Sequence, residues 1–378
     1  RRGKCKTGTS LRILGLALLV TGDFQVPLFH RLYPGNQPDA PTFRSLVDEL
    51  VQRYKLLTDG AVDLTIVFDK GNNAADNIAT LSESPWHFVG SLVPTHHPDL
   101  LALRAEKMPL LDEEVFPHGV RAHRTKKVVF GREYAVLVTF NPKLFTAQTK
   151  TIEREVAKRR EKLERYRRYT LRWRQGRGTG KPPTVAGTKK AVGKILSGRH
   201  MKDLFRISVE EDPDTDGLPR FTYRFDGGAW ARLKRTLLGK TILFTDNEHW
   251  SDEEIVLGYR GQHHVESSFR QMKDVSHVTF RPARHWTDQK LHVHALYCVI
   301  ALTLANLLRR RLAEMQIRLS THRMLELLGN IREMHVLTSS GRGRPRTHRI
   351  HSKLNPETAP IFKALELGAI DFVAKPDR

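Results

Sequence analysis

Cysteine is nearly absent from this chain: its 378 residues include only Cys5 and Cys298, far apart and outside any metal-ligand spacing. A disulfide framework and a cysteine-based zinc module are therefore not indicated, which fits a reducing, cytoplasmic setting. Acidic residues are also scarce, with 41 Asp and Glu against 63 Lys and Arg. The formal charge of +22 favours a polyanionic partner, nucleic acid first and an anionic membrane surface second. No uninterrupted apolar run reaches the ~20 residues of a spanning helix. The apolar stretch Val293 to Leu308, bounded by His292 and by Arg309 to Arg311, reads as a core helix, with no membrane partner expected. At the amino end, RRGKCKTGTSLRILGLALLV has the outline of a signal peptide, but Arg12 interrupts the apolar run and no small-x-small site follows. A buried strand is expected there instead. A P-loop is missing too: in GRGTGK, Gly176 to Lys181, the spacing is one residue short and Pro182 stands where Ser or Thr is required.

What is present reads as a folded α/β chain of two or three modules. Residues 11–20 and 24–33 form two strands around the turn Thr21-Gly22-Asp23. Asp39 and Thr42 are candidate N-caps for a helix through about Tyr54. AVDLTIVFD is a strand ending at Asp69, Lys70 to Asn73 turns the chain into a second helix, and WHFVGSLV from Trp86 is the next strand. Between Arg104 and Lys240 an alternating sheet segment, a long charged helix and the strand LPRFTYRFDGGAW suggest an insertion. Along that helix Val156, Leu163 and Thr170 fall seven apart, as do Arg159, Tyr166 and Trp173, so its apolar seam is imperfect. TILFTDN then resumes the core. Ser251 and Glu254 make a capping box that opens a helix through YRGQHHVESSFRQMK. The expected modules are 1–103, the first part of a catalytic core; 104–240, the insertion; 241–330, the second part of the core; and 331–378, a basic flexible tail.

Glu266 and Lys273 lie seven residues apart, close to two helical turns, so both project from one helix face, with Tyr259 two turns earlier. Val265, Phe269 and Met272 fall on another face that can pack inward. Asp69, at the carboxyl end of its strand beside Gly71, stands at the edge where α/β sheets place ligands. The spacing Y-x2-R-x3-E-x6-K resembles the last catalytic helix of DDE insertion-sequence transposases, in the bacterial branch with a Tyr-Arg-Glu-Lys signature. Tyr259, Glu266 and Lys273 fit it, and Gln262 replaces the Arg. FDKGNNAADN resembles that family's second-aspartate segment, and PLFHRLYPGNQPDAPTF the segment before it. The resemblance runs in order over roughly residues 3–315.

The resemblance implies a ribonuclease H-like core interrupted by an α+β insertion, and metal-dependent cleavage and strand transfer at element ends. It assigns Asp69 and Glu266 as catalytic carboxylates holding Mg²⁺, with Mn²⁺ as the alternative, and Tyr259, Gln262 and Lys273 as DNA contacts. Gln262 can hydrogen-bond a phosphate but lacks the charge of Arg. Two hard cations sharing carboxylate ligands suit phosphodiester cleavage, one at the attacking and one at the leaving oxygen. The family's first aspartate and opening strand are expected upstream of Arg1, which would make the polypeptide as given an inactive fragment and leave a sheet edge beside Asp69 open or filled by another segment. The expected partner is DNA, at element ends and target, bound by a homodimer. Two other readings stand beside this one: a basic DNA-binding remnant that cuts nothing, and a ribonuclease H-like nuclease without strand transfer.

Weaker signals remain. Gly341 to Arg346 resembles the Arg-Gly-Arg-Pro core of AT-hook peptides, which makes Arg342 and Arg344 candidate DNA contacts, although a flexible basic linker has the same composition. His263, His264, His292 and His294 show no recognised ligand spacing, and His294 is expected to pack. Residues 363–376 resemble the end of a receiver domain and are assigned no function.

Overall fold

The computed structural model describes residues 2–4, 10–37, 43, 45–50, 52, 64–215, 217–275, 277–281, 284–338, 341 and 346–369. Short strands β1 (Arg2–Lys4) and β2 (Ser10–Arg12) precede the hairpin β3 (Leu14–Val20) and β4 (Pro27–Pro34). Residues 45–50 are helical as expected, while Asp39, Thr42 and Tyr54 lie outside the described residues. Next come β5 (Thr65–Val67), α1 (Ala75–Ser82), β6 (His87–Leu92), β7 (Arg121–Val129) and β8 (Arg132–Phe140). They are followed by α2 (Pro142–Arg174), α3 (Val185–Ile195), β9 (Phe205–Glu211), β10 (Pro219–Phe225), α4 (Gly227–Thr236) and β11 (Lys240–Thr245). The remainder comprises α5 (Asp252–Arg260), α6 (Gln262–Lys273), α7 (Asp288–Glu314), α8 (Thr321–Gly329), β12 (Glu333–Thr338), β13 (Arg346–His351) and α9 (Thr358–Ala364). The chain divides into two compact units, Val62–Tyr259 and the combination of Arg1–Ala61 with Arg260–Arg378.

The first of these units carries a five-stranded mixed sheet in the order β5-β6-β11-β8-β7, with β5 parallel to β6 and the other pairs antiparallel. Its inner strands are apolar on both faces: Phe88, Val89, Val136, Val138, Ile242 and Phe244 are completely buried. Gly90 permits this density, because a Cβ there would lie 2.6 Å from the Phe244 ring and 2.8 Å from that of Phe68. Among the described residues β5 bonds to β6 only, so it stands at an edge of the sheet. The α/β class and mixed sheet expected of a ribonuclease H-like core are thus present.

The stretch 104–240 is divided. Its strands β7 and β8 join the sheet through β11, whereas residues from α2 to α4 surround a core of their own. Val156, Leu163 and Thr170, the seam read from the sequence, are the buried residues of α2, and Val156 and Leu163 belong to the cluster formed with α3 and the β9–β10 hairpin. GGAW, expected to continue the strand, instead opens α4, because Asp226 accepts a hydrogen bond from the Ala229 amide at 2.9 Å and caps a helix. Leu163 is fully buried, so Leu163→Ala leaves a cavity and is expected to destabilise this unit by about 2–5 kcal/mol. A urea midpoint unchanged by the substitution would show that α2 does not depend on this seam.

In the other unit β3 pairs with β4, and β12 with β13, as separate two-stranded sheets. Residues 11–20 and 24–33 are expected from the sequence as two strands around a turn. The described residues put them in a hairpin whose Leu16 and Leu18 pack on Met272, Cys298, Val299 and Leu302 of α6 and α7. α7 is also less enclosed than a core helix. Ala295, Cys298, Val299, Leu302, Asn306 and Leu312 are buried, but Val293, Leu296, Tyr297, Ile300 and Leu304 are exposed, Tyr297 by 67%. It is long and apolar enough to cross a membrane. Its buried side carries polar anchors, however: Asn306 donates to the Gln25 carbonyl at 2.8 Å and Arg309 to that of Phe24 at 2.9 Å.

Candidate active site

Asp69 lies two residues beyond the end of β5, after Phe68. Phe68 turns into the core and Asp69 out to solvent, so the alternation of the strand presents the carboxylate. One carboxylate oxygen accepts from the Lys70 amide at 2.8 Å and caps the turn Lys70–Asn72. The turn is clamped further along: Asn73 donates to the Ser91 carbonyl at 2.7 Å, and Asn77 to that of Asn72 at 3.0 Å. Tyr259, at the end of α5, packs against the cluster of Val89, Leu137 and Leu243 and donates its hydroxyl to Ser91 Oγ at 2.7 Å. Ser91, itself buried, therefore joins the Asp69 turn to Tyr259. Sequence reading passed it over, and its one signal was a small polar residue beside Gly90 in an apolar strand.

The expected single signature helix is two helices. The Ser251–Glu254 capping box forms reciprocally, with the Ser251 amide donating to the Glu254 carboxylate at 2.8 Å and the Glu254 amide to Ser251 Oγ at 3.1 Å, and it starts α5. Gly261 then separates α5 from α6, so Tyr259 is not on the helix that carries Glu266 and Lys273. Glu266 and Lys273 do share α6, both exposed, while Met272 and Ser268 are buried on its inner face and Val265 and Phe269 half-buried. Glu266 has no hydrogen bond or ion pair among the described residues. Lys273 Nζ lies 5.7 Å from the centre of the Phe269 ring. The Gln262 amide nitrogen is buried without a partner among the described residues, so it is turned away from solvent. Leaving such a donor unpaired costs about 1–3 kcal/mol.

A second strand-end carboxylate, Asp246 after β11, belongs to the opposite end of the sheet. It accepts from the Phe88 amide at 2.9 Å near the start of β6, and its neighbour Asn247 donates to Thr65 Oγ1 at 3.2 Å at the start of β5. Burial pushes its carboxyl up, partly countered by the Phe88 amide and the adjacent His87. Because the folded group holds its proton more tightly than the unfolded one, its contribution is most favourable below the ordinary carboxylate range and is lost as pH rises through the raised folded value. Asp246→Asn keeps an acceptor for Phe88 and removes the buried charge. It is expected to raise the melting temperature at neutral pH and flatten the decline of stability above pH 4. A lower melting temperature at pH 7 would mean that the charge itself is needed.

Asp69 and Glu266 supply hard carboxylate oxygens of the kind Mg²⁺ prefers. Asp69 has one oxygen engaged by the Lys70 amide, and neither Glu266 oxygen has a partner among the described residues. The donor chemistry fits the ion, although neither residue belongs to a group of three potential ligands among the described residues. Two of the histidines singled out in the sequence, His264 and His294, are engaged by neighbours. His264 Nδ1 accepts from Gln25 at 3.0 Å, and His294 stacks on Phe280 at 5.7 Å with its Nε2 3.8 Å from Cys298 Sγ, as packing required. Arg342, Arg344 and residues 370–378, with the second half of the receiver-like stretch, lie outside the described residues.

The family model for the transposase DDE domain matches residues 1–304, which include Asp69, Tyr259, Gln262, Glu266 and Lys273. No curated protein and no solved structure matches the chain.

Proposed function

Since the chain belongs to the DDE transposase family, whose members carry out nucleotidyl transfer on DNA, we propose that it cleaves and rejoins the ends of a bacterial insertion sequence using Asp69 and Glu266 as metal ligands. The observation that carries this reading is the family match over residues 1–304, a span that holds Asp69 just after a strand and Glu266 and Lys273 seven residues apart on one helix. Bound Mg²⁺, or Mn²⁺ in its place, would neutralise charge on the phosphorane-like transition state and activate the attacking oxygen.

The residues of the chain have separable tasks in this scheme. Asp69, held by its cap on the turn Lys70–Asn72, would hold a metal ion through its second oxygen. Glu266 is exposed on α6 and would supply the second carboxylate. Lys273, two turns further along the same face, binds a phosphate near the element end and holds the scissile bond in position. In the first step a water oxygen bonds to phosphorus and the 3′ oxygen leaves as a hydroxyl. In the second that 3′ oxygen attacks a target phosphodiester, and the target's own 3′ oxygen departs with a proton. Tyr259, anchored on Ser91, acts as a positioning residue for the Asp69 turn, and Gln262, whose amide nitrogen is buried, would have to turn outward before it could take the place of the family's Arg at a phosphate. A homodimer in the DNA complex, action in the cytoplasm and no membrane partner complete the proposal.

The test is incubation of the intact transposase with plasmid carrying element ends and Mg²⁺. Cuts with free 3′-hydroxyls followed by joined products are expected. Cuts without joining would favour a nuclease, and binding without cuts a DNA-binding remnant.

A further inference from the structure

Beyond α6, the chain makes a tight turn in which the Asp274 carbonyl accepts from the amides of His277 at 3.2 Å and Thr279 at 3.1 Å. Thr279 occupies the left-handed region, at φ 55°, and the Phe280 amide returns to the Met272 carbonyl at 2.8 Å. The turn therefore fixes the positions of Asp274 and His277 relative to each other. His277 Nε2 lies 3.6 Å from Asp274 Oδ2 and 3.0 Å from Nδ1 of His322, which sits in the first turn of α8. All three potential ligand atoms fall within 4.8 Å of one another. α8 is held in place by its own cap, with the Arg323 amide donating to Ser320 Oγ at 3.2 Å, and by Arg309, which reaches Thr321 Oγ1 at 3.2 Å.

We propose that Asp274, His277 and His322 form a site for a divalent transition metal of the zinc class, clipping the turn after α6 to α8. Three arguments converge on it. A tetrahedral ion with metal–nitrogen distances of about 2.0–2.1 Å places its ligand atoms roughly 3.3 Å apart, and the measured separations of 3.0 and 3.6 Å bracket that value. Two imidazoles with one carboxylate suit zinc-like ions, and differ in kind from the carboxylate set that suits Mg²⁺. The side chain of His277 is 7% exposed, so its ring is held by packing before any ligand arrives. Two features work against tight binding. His277 Nδ1, which carries the ring proton when Nε2 ligates, has no acceptor among the described residues. His322 also lies at the positive end of a helix. The Asp274 charge offsets the second. A simple relay, with one ring proton shared between His277 and His322 beside Asp274, is the arrangement the metal would replace.

The site lies next to Lys273, so occupancy would fix the end of the helix that carries Glu266 without contributing to Mg²⁺ chemistry. The probe is Co²⁺, whose visible absorption reports tetrahedral coordination, followed by equilibrium dialysis with Zn²⁺, on the full chain. The comparison variants are His322→Ala, at an exposed position that folding tolerates, and Asp274→Asn. The expected result is one equivalent bound with a tetrahedral spectrum, no competition from excess Mg²⁺, and affinity weakened more than about tenfold in each variant. Equal Zn²⁺ affinity in the parent and His322→Ala, or no tetrahedral Co²⁺ spectrum in the parent, would overturn the proposal.

Discussion

Replacing either Asp69 or Glu266 by alanine in the intact transposase is expected to lower Mg²⁺-dependent end cleavage by about 10³-fold or more. The magnitude follows from the several kcal/mol of transition-state charge stabilisation that a catalytic ion supplies, at ~1.4 kcal/mol per decade of rate. Binding of duplex DNA should change little, because one carboxylate lost from a chain of net charge +22 leaves the phosphate contacts in place. Lys273→Ala should behave differently, weakening binding of the cleaved end together with cleavage. Gel assays of end cleavage and of end binding separate the two patterns. Wild-type cleavage by Glu266→Ala would remove α6 from the catalytic assignment.

The second large effect is electrostatic. Affinity for duplex DNA should fall by about 10³-fold between ~50 and ~200 mM salt if six or more phosphates are engaged, since each contact releases condensed counterions. The sequence of the duplex should matter little when element ends are absent. Part of the basic charge is already committed: on α2, Glu155 pairs with Lys158 and Arg159, Glu161 with Arg165, and Glu164 with Arg167 and Arg168. Such exposed pairs contribute little to stability and reopen easily to phosphate. Filter binding across a salt series measures the slope, and a flat line would rule out a phosphate-dominated interface.

How much of this was legible in the sequence depended on whether the signal was local. The Ser251–Glu254 box and the seven-residue seam of α2 are each set by neighbours within two turns and form as read, although the box opens α5 alone, and the strand read as ending at Asp69 ends two residues earlier at Val67. The break at Gly261 was missed because one glycine in a helical pattern is usually tolerated, and only the packing of Tyr259 on one side and Met272 on the other reveals it. Ser91 owes its role to Asn73 and to Tyr259, 168 residues away, which no spacing rule could pair. The exposed side of α7 was likewise hidden, since an apolar run does not say which faces find partners. His322 joins His277 from 45 residues away, beyond the reach of any motif.

The central claim is that Asp69 and Glu266 hold the same ions. Iron-mediated chain cleavage tests it most directly, with Fe²⁺ replacing Mg²⁺ and peroxide generating radicals that cut the backbone beside the bound metal. His322→Ala is the background of choice, so that a metal at Asp274 and His277 adds no cuts of its own. Cuts are predicted near both residue 69 and residue 266, both suppressed by excess Mg²⁺ and both lost in Asp69→Ala. A cut near residue 266 that persists unchanged in Asp69→Ala would contradict a shared site.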